Sequence, residues 1–270
     1  MRFVADSVHH GATLWAPTKV GSVVAVLVRR RHEQDFERLL PDGIVEIGDE
    51  VARYEIDRSD EASLRALNAT YTAEHYVGVP PGPWSDEAAA IDAHVPHAGA
   101  WVLEVCCGAG RLGGALLRDG NHVVALDISV TCVRHAVAHD PSDVAYIAGN
   151  ALALPFCDRA FDVAGVFDSS LGVLFSDKAR AVDELVRVAK QRVVLGLRDA
   201  GDETLHVYHS PTGQVEVAET FTFSSVMQLL GALSPASRAR IARRQFSSGE
   251  ERPWGGRMFF VVLHLGADTP

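Results

Sequence analysis

Short apolar runs alternate with amphipathic segments through most of the chain after residue 100. Runs of this length and composition predict strands, and a 3.6-residue apolar spacing predicts helices between them. The predicted strands are 101–106, 122–127, 144–148, 161–167 and 192–198, and the predicted helices are about 110–119, 130–138 and 178–189. Strands that alternate with helices indicate a parallel sheet covered on both faces. The pattern therefore predicts an α/β core with a doubly wound sheet.

The pattern differs before this region. A strand is predicted over 20–28, a helix over 32–40, one or two strands within 44–56 and a helix that begins near Ser59. The prolines and glycine of 80–83 interrupt the chain and predict a boundary, after which Ser85 is expected to cap the next helix. We therefore predict a small N-terminal α+β element over 1–84, acting as a lid or a dimerisation element, and a core over 85–270.

The pattern changes again after the fifth predicted strand. Segments 204–209 and 214–218 alternate around a Pro-Thr-Gly turn and predict a hairpin, inserted over about 204–220. A short helix is predicted over 223–233, and two closing strands are predicted over 239–247 and 258–265.

Composition excludes several classes of function. The hydrophobic share of 47% is ordinary for a globular protein, and the longest apolar run, 20–28, is too short to span a membrane. No Sec-type signal is visible, so we expect a cytoplasmic protein without a membrane partner. The net charge of −10 argues against a nucleic-acid partner. The cysteines show no zinc-ligand spacing, so we expect reduced thiols and no metal site; they are Cys106, Cys107, Cys132 and Cys157.

The first predicted core strand leads into a glycine turn and then a helix. Such a turn presents backbone N–H groups and a helix N-terminus to a ligand, and a second strand ends about twenty residues later in Asp127. Gly108, Gly110 and Gly113, with Asp127, also match a dinucleotide-binding fingerprint. Glu104 within the first strand argues against that alternative, because an acid there would repel a pyrophosphate but suit a cationic amino-acid head.

These residues resemble the class I S-adenosylmethionine (SAM) methyltransferase family. Its first motif is acidic-x-Gly-x-Gly-x-Gly, and Glu104, Cys106, Gly108 and Gly110 occupy the corresponding positions, with Cys106 replacing a glycine. Segment 146–163 resembles the family's Gly-Asp-Ala…Leu-Pro-Phe-x-Asp-x-x-Phe-Asp-x-Val segment. The resemblance covers roughly residues 85–266. It implies a Rossmann-like sheet with strand order 3-2-1-4-5-7-6 and strand 7 antiparallel.

The resemblance also implies a cofactor site for SAM, with S-adenosylhomocysteine as the product. Glu104 would bind the SAM amino group, Asp127 the ribose hydroxyls, and Asn150, which replaces the family's acid, the adenine edge. The full set implied is Glu104, Cys106, Gly108, Gly110, Asp127, Ile128, Asn150, Ala151 and Phe167.

The acceptor side is less defined by the sequence. Asp168 follows the fourth core strand, at the edge where doubly wound sheets bind ligands, and could act as a base or hold an amine. It could equally cap a turn through Ser170. His75, His206 and His209 are the other catalytic candidates.

The function expected from the sequence is methyl transfer to O, N or C of a small molecule, in specialised metabolism, by a protein that could form a homodimer. Three alternatives remain open at this point. One is a SAM-using enzyme with other chemistry, such as aminocarboxypropyl transfer or cyclisation. The others are an NAD-dependent oxidoreductase and a non-catalytic SAM-binding protein.

Overall fold

A computed structural model describes most of the core of the chain. The described residues are 6–8, 12–15, 18–19, 22–23, 25–29, 79, 81–97, 99–140, 142–199, 201, 205–209, 215–252 and 256–266. Of residues 6–29, 205–209 and 215–217 the backbone alone is described. The predicted helices at 32–40 and after Ser59, the strands within 44–56, and His75 lie outside the described residues.

The described residues form fourteen strands. They are β1 (Asp6–Val8), β2 (Ala12–Trp15), β3 (Thr18–Lys19), β4 (Ser22–Val23), β5 (Ala25–Arg29), β6 (Trp101–Val105), β7 (His122–Asp127), β8 (Ala145–Ala148), β9 (Phe161–Val166), β10 (Ala189–Asp199), β11 (Leu205–His209), β12 (Val215–Glu219), β13 (Ile241–Glu251) and β14 (Arg257–Leu265).

Helices separate the strands of the core. The α-helices are α1 (Ser85–His94), α2 (Gly113–Leu116), α3 (Val130–His139), α4 (Lys178–Val188), α5 (Phe223–Ala232) and α6 (Pro235–Arg240), and two 3₁₀ segments span Arg118–Gly120 and Ser170–Asp177.

The central sheet has the order β1-β2-β5-β8-β7-β6-β9-β10-β14-β13. Strands β8, β7, β6, β9 and β10 pair parallel with one another, and β14 is antiparallel to both β10 and β13. These seven strands have the order implied by the resemblance, so the predicted α/β fold class is confirmed. Every residue of β7 after His122 is buried, as expected where helices cover both faces of a parallel sheet.

Part of the N-terminal region extends this sheet. Strand β5 pairs antiparallel with β8, with Ala25 opposite Ala148 and Val26 opposite Ile147, and β2 and β1 follow outward. The described residues of 6–29 therefore add strands to the core sheet at the β8 edge, apart from the small β3–β4 pair. Whether residues 1–84 also act as a lid or a dimerisation element stays a prediction.

Two local predictions around the helices were wrong. The helix predicted over 110–119 is reduced to the single turn α2, because the glycines at its start adopt turn conformations and Gly113 and Gly114 are weak helix formers. Ser85 does not cap α1 but is its first residue. The N-cap is Trp84, whose backbone N–H donates to Glu87 Oε2 at 2.8 Å.

Helix α6 was not predicted at all. Its N-cap is Ser234, whose hydroxyl accepts from the backbone N–H of Ser237, and Pro235 occupies its first position. A Ser-Pro pair is a recognised helix start. Segment 235–240 is short and has few apolar residues, so it shows no helical periodicity.

Glycines of the cofactor motif allow the turn to pack on Tyr146 of β8. A Cβ at Gly110 would lie 2.5 Å from the Tyr146 hydroxyl, and a Cβ at Gly113 would lie 2.8 Å from the same oxygen. Tyr146 is fully buried, and its hydroxyl also donates to the Asp140 carboxylate. The close approach of helix and strand therefore depends on the absence of side chains at both positions.

We expect Gly113→Ala to destabilise the fold by about 1–3 kcal/mol through overpacking against Tyr146. The matched control is Gly114→Ala, since a Cβ at Gly114 meets nothing within 4 Å and alanine favours the helix. Denaturant unfolding of both variants in wild-type and Tyr146→Phe backgrounds checks this. The cost of Gly113→Ala should shrink when the hydroxyl is removed, and equal costs at the two glycines would contradict the packing account.

Candidate functional site

The turn after β6 has a left-handed backbone at three positions. The φ angle is 63° at Cys106, 53° at Gly108 and 85° at Gly110. Glycine adopts this conformation without steric cost, which explains two of the motif positions. Cys106 adopts it with a side chain, at a cost of about 1–3 kcal/mol. The backbone therefore keeps the conformation of a glycine motif although the residue has changed.

Asp127 ties the end of β7 to this turn. Its Oδ2 accepts from the backbone N–H of Gly108 at 2.9 Å, and its Oδ1 accepts from the backbone N–H of Ser129 at 2.8 Å. A carboxylate offers about four acceptor positions on its two oxygens, so this side chain could also accept from a hydroxyl group of a ligand. The side chain is 7% exposed and held in one orientation. This arrangement suits the predicted ribose contact, which stays a prediction.

Glu104 is a buried acid with an unsatisfied oxygen. The residue is 3% exposed, and its Oε2 has no hydrogen-bond partner among the described residues. Burial raises the pKa of this carboxyl well above its ordinary value and the charge of Asp168 raises it further, whereas Arg111 lowers it. A buried polar atom without a partner is costly unless a ligand satisfies it. A cationic donor would satisfy this oxygen, and the predicted contact with the SAM amino group stays a prediction.

Asp168 lies beyond the end of β9 and is half-buried. Its Oδ1 accepts from the backbone N–H of Ser170 at 2.9 Å, so the turn-capping role is present. Burial raises the pKa of this carboxyl, while the positive charge of Arg111 and the hydrogen bonds from Ser170 lower it. Ser170 thus donates to this carboxylate from both its backbone N–H and its side chain, and a role of Asp168 toward the acceptor substrate stays a prediction.

The residues predicted for the adenine side differ in exposure. The side chain of Ile128 is 61% exposed, which is unusual for an isoleucine and leaves an apolar surface beside Asp127. Asn150 Oδ1 accepts from the backbone N–H of Leu152 at 2.9 Å, and Ala151 is buried. Phe167 is 1% exposed and belongs to the hydrophobic core.

An ion-pair network beside the site was missed by the sequence analysis. Arg111, in the glycine turn, donates to both carboxylate oxygens of Glu87 at 2.6 and 2.8 Å and to the carbonyl of Gly82 at 2.9 Å. Arg252 donates to both oxygens of Asp86 at 3.0 and 2.8 Å and to Glu87 at 3.3 Å. The network joins α1, the turn and the chain after β13. The only sequence signal was the acidic first turn of α1.

The histidine candidates are not brought to the site by any described contact. His206 and His209 lie on β11, opposite Ala218 and Val215 of β12, in a separate two-stranded sheet, and only their backbone is described. Among the described residues, no cluster of three or more His, Cys, Asp or Glu could hold a metal ion. Within the same residues no helix has the length and apolar character to cross a membrane.

We expect Cys106→Gly to stabilise the protein by about 1 kcal/mol. The change removes a side chain from a left-handed position, and the greater conformational entropy of glycine in the unfolded chain offsets part of this gain. Thermal unfolding measures the change. Cys107→Gly, at the neighbouring buried position, is the control and should destabilise the protein. A lower melting temperature for Cys106→Gly would show that the thiol contributes packing that outweighs the strain.

Comparison with known proteins finds similarity over part of the chain. Residues 102–192 match the model of a methyltransferase domain. Over 100 residues the chain is 34% identical to a demethylmenaquinone methyltransferase of Renibacterium salmoninarum, covering 37% of this chain and 41% of that protein. Over 88 residues it is 40% identical to a malonyl-[acyl-carrier protein] O-methyltransferase of Erwinia billingiae, covering 32% and 34%. The chain thus spans about two fifths or less of the length of these relatives.

A solved structure shares the fold over a longer span. A SAM-dependent methyltransferase from Methanosarcina mazei superposes with a TM-score of 0.54 at 20% identity, covering 66% of this chain and 98% of that one. Residues 102–192 thus match a methyltransferase domain, and the chain shares the fold of a class I SAM-dependent methyltransferase.

Proposed function

We propose that this chain transfers a methyl group from SAM to a small-molecule acceptor. The observation that carries the proposal is the unsatisfied, buried carboxylate oxygen of Glu104 beside a glycine turn held by Asp127. A ligand that carries an ammonium group near a ribose would satisfy both residues at once. The negative field around Glu104 argues against a pyrophosphate in the same turn, which disfavours NAD.

Different residues of the chain would contact different parts of the cofactor. Glu104 would accept from the amino group, the turn from Cys106 to Gly110 would leave room for the methionine part, and Asp127 would accept from the ribose hydroxyls. The exposed Ile128 and the backbone of Asn150 and Ala151 would border the adenine. When bound, SAM supplies an electrophilic methyl group on a sulfonium. Transfer then requires in-line positioning and exclusion of water.

Asp168 is the group best placed to act on the acceptor. It leaves the carboxyl end of β9, and its charge acts on both Glu104 and Arg111. Its raised pKa suits a carboxylate that takes a proton from a hydroxyl or ammonium acceptor. His75, His206 and His209 stay as secondary candidates.

The acceptor does not follow from the relatives. The two named above act on different substrates by name, a demethylmenaquinone and a malonyl-[acyl-carrier protein]. Their similarity falls on about 100 residues or fewer, and the matched domain is residues 102–192. Residues outside that domain, including the hairpin β11–β12, would contribute to selection of the acceptor. We also propose a role in specialised metabolism, a cytoplasmic location and a homodimer.

The reaction is tested by mass spectrometry of the products formed from SAM with a metabolite library. S-adenosylhomocysteine together with a product heavier by one methylene would establish methyl transfer. Methylthioadenosine would instead indicate transfer or cyclisation of the aminocarboxypropyl arm, which is the second candidate function. SAM that binds but remains intact with every acceptor would indicate a binding protein.

We expect Glu104→Gln to raise stability and abolish SAM binding together. Because the pKa of Glu104 is raised in the folded state, the ionised acid destabilises the fold increasingly as pH rises above the ordinary pKa of a glutamate. Removing it should gain about 1–3 kcal/mol near neutral pH, or about 2–4 °C per kcal/mol, and the gain should vanish near pH 4. Thermal scans with and without SAM measure both effects.

The control for that experiment is Glu250→Gln, which changes an exposed acid on the same protein. It should alter neither the melting temperature nor the shift that SAM produces. If Glu104→Gln kept the full SAM-dependent shift, Glu104 would not bind the cofactor.

We expect Asp168→Asn to keep SAM affinity near normal and to reduce turnover by about 10²-fold, the scale of a lost general base. Asparagine preserves the bond from the Ser170 N–H but removes charge and basicity. Calorimetry and steady-state rates separate the two quantities, with the exposed Asp92→Asn as the control. Turnover within a few-fold of wild type would leave Asp168 with its turn role alone.

A further inference from the structure

A cavity of about 440 Å³ lies between the end of the 3₁₀ segment Ser170–Asp177, the start of α4, the end of β12 and the helix α5. This volume falls in the range of small-molecule sites in proteins. Its lining combines the aromatic rings of Phe175 and Phe221 with Leu229 and two alanines, Ala179 and Ala232. None of the residues assigned to the cofactor above takes part in it.

The cavity connects to Asp168 through two segments of the chain. The 3₁₀ segment begins at Ser170, which is bonded to Asp168, and reaches the cavity at Phe175. On the other side the backbone N–H of Phe221 donates to the carbonyl of Arg198 at 2.7 Å, near the end of β10. Strand β10 also passes directly beside Asp168, since a Cβ at Gly196 would lie 2.6 Å from the Asp168 carbonyl oxygen.

Among the residues whose side chains the structure describes, the wall of the cavity carries no net charge. The charged side chains described there are those of Lys178 and Glu219, which form an ion pair and are 18% and 36% exposed. The Lys178 ammonium also lies 5.8 Å from the centre of the Phe221 ring. The other polar lining groups are the uncharged side chains of Ser176, Thr220, Ser225 and Gln228. A charged ligand would have to compete with a partner that is already in place, whereas an uncharged one would not.

The wall is also set firmly in position. Phe175 is 3% exposed and has φ 46° and ψ −123°, a conformation that a side chain rarely adopts. Gly172 packs so closely on β12 that a Cβ there would overlap with the Glu219 backbone. Strained residues of this kind persist where the surrounding structure holds them, and they cluster at ligand sites.

We propose that this cavity holds the ring portion of an uncharged acceptor, a molecule with one or two apolar rings bearing hydroxyl or carbonyl groups. The rings pack between Phe175, Phe221 and Leu229, and the paired Lys178 and Glu219 select against charge. The methyl-accepting atom then lies toward Asp168. This assignment rests on the proposed function for its link to methyl transfer, but binding at the cavity is measurable without turnover.

Three probes of matched shape test the assignment: 2-naphthalenemethanol, 2-naphthoate and 2-naphthylmethylamine. Their binding is followed by NMR in the presence of S-adenosylhomocysteine. The wild-type protein should prefer the alcohol. Glu219→Gln leaves Lys178 unpaired and should improve the affinity for the naphthoate by about five-fold, the effect of one nearby unit charge in a water-like medium. Lys178→Gln should do the same for the amine.

The double variant Lys178→Gln with Glu219→Gln is the control for charge balance. It lacks the ion pair but is neutral, so the preference for the alcohol should return. Unchanged rank order across all four proteins, or no binding of any probe to the wild type, would overturn the assignment.

A second pair of variants links the cavity to the reaction. Ala179→Leu projects a larger side chain into the cavity, and Arg180→Leu adds the same side chain at the adjacent exposed position. With the acceptor found by the product screen, Ala179→Leu should raise the acceptor KM at least about ten-fold and leave SAM affinity unchanged, the loss expected when a side chain occupies part of a ligand site. Arg180→Leu should change neither.

The outcomes separate this inference from the proposed function. Probe binding that Ala179→Leu abolishes, in a protein that does not bind SAM, would support the cavity and refute methyl transfer. SAM binding and turnover with an acceptor KM unaffected by Ala179→Leu would refute the cavity as the acceptor site while leaving methyl transfer established.

Discussion

A carboxylate in a protein core is tolerated only when something compensates its charge, and Glu104 sets this constraint on the rest of the site. The nearest cation, Arg111, is already bound by both oxygens of Glu87. Arg111 and Arg252 together match Asp86 and Glu87 in number, so that network is balanced within itself. Glu104 and Asp168 lie outside that balance, and burial raises the pKa of both carboxyls. On the proposed function, the two cationic centres of SAM, an ammonium and a sulfonium, would favour the ionised form of these carboxyls, whereas a pyrophosphate would oppose it.

The ion-pair network holds the glycine turn in place at the carboxyl edge of the sheet. Arg252 and Glu87 are each 2% exposed, and Arg111 holds the glycine turn to both the side chain of Glu87 and the carbonyl of Gly82. Removal of one member of such a network leaves a buried charge unpaired, which costs more than the network contributes. The turn is thus held by contacts with α1 and with Asp127 at the end of β7. Glu104 consequently need not hold the turn and keeps one oxygen for a ligand.

The sequence predicted features whose cause lies within a few residues or one motif. The glycine turn, the strand ending in Asp127 and the alternation of strands and helices were all of this kind, and the family resemblance supplied the strand order. Contacts between distant segments gave no such signal. Arg252 pairs with Asp86 across 166 residues, and β5 meets β8 at a sheet edge that no periodicity marks. The apolar pattern also overestimated the length of α2, because Gly113, which packs against Tyr146, is a weak helix former.

The two halves of the carboxyl edge differ in the kind of recognition they offer. The half formed by β6, β7 and the turn presents carboxylates and backbone N–H groups, which bind a charged and highly polar cofactor. The half beyond β9 and β10 presents aromatic rings with a neutralised ion pair, which suits a molecule without charge. Asp168 lies between them, where its charge acts on Glu104 and Arg111 while its backbone contacts β10 at Gly196. On the proposed function, a carboxylate at that junction would lie near both ligands. The polarity of the edge would then order the two ligands along it, with the cofactor's positive charge toward Glu104 and the acceptor's apolar rings toward Phe175.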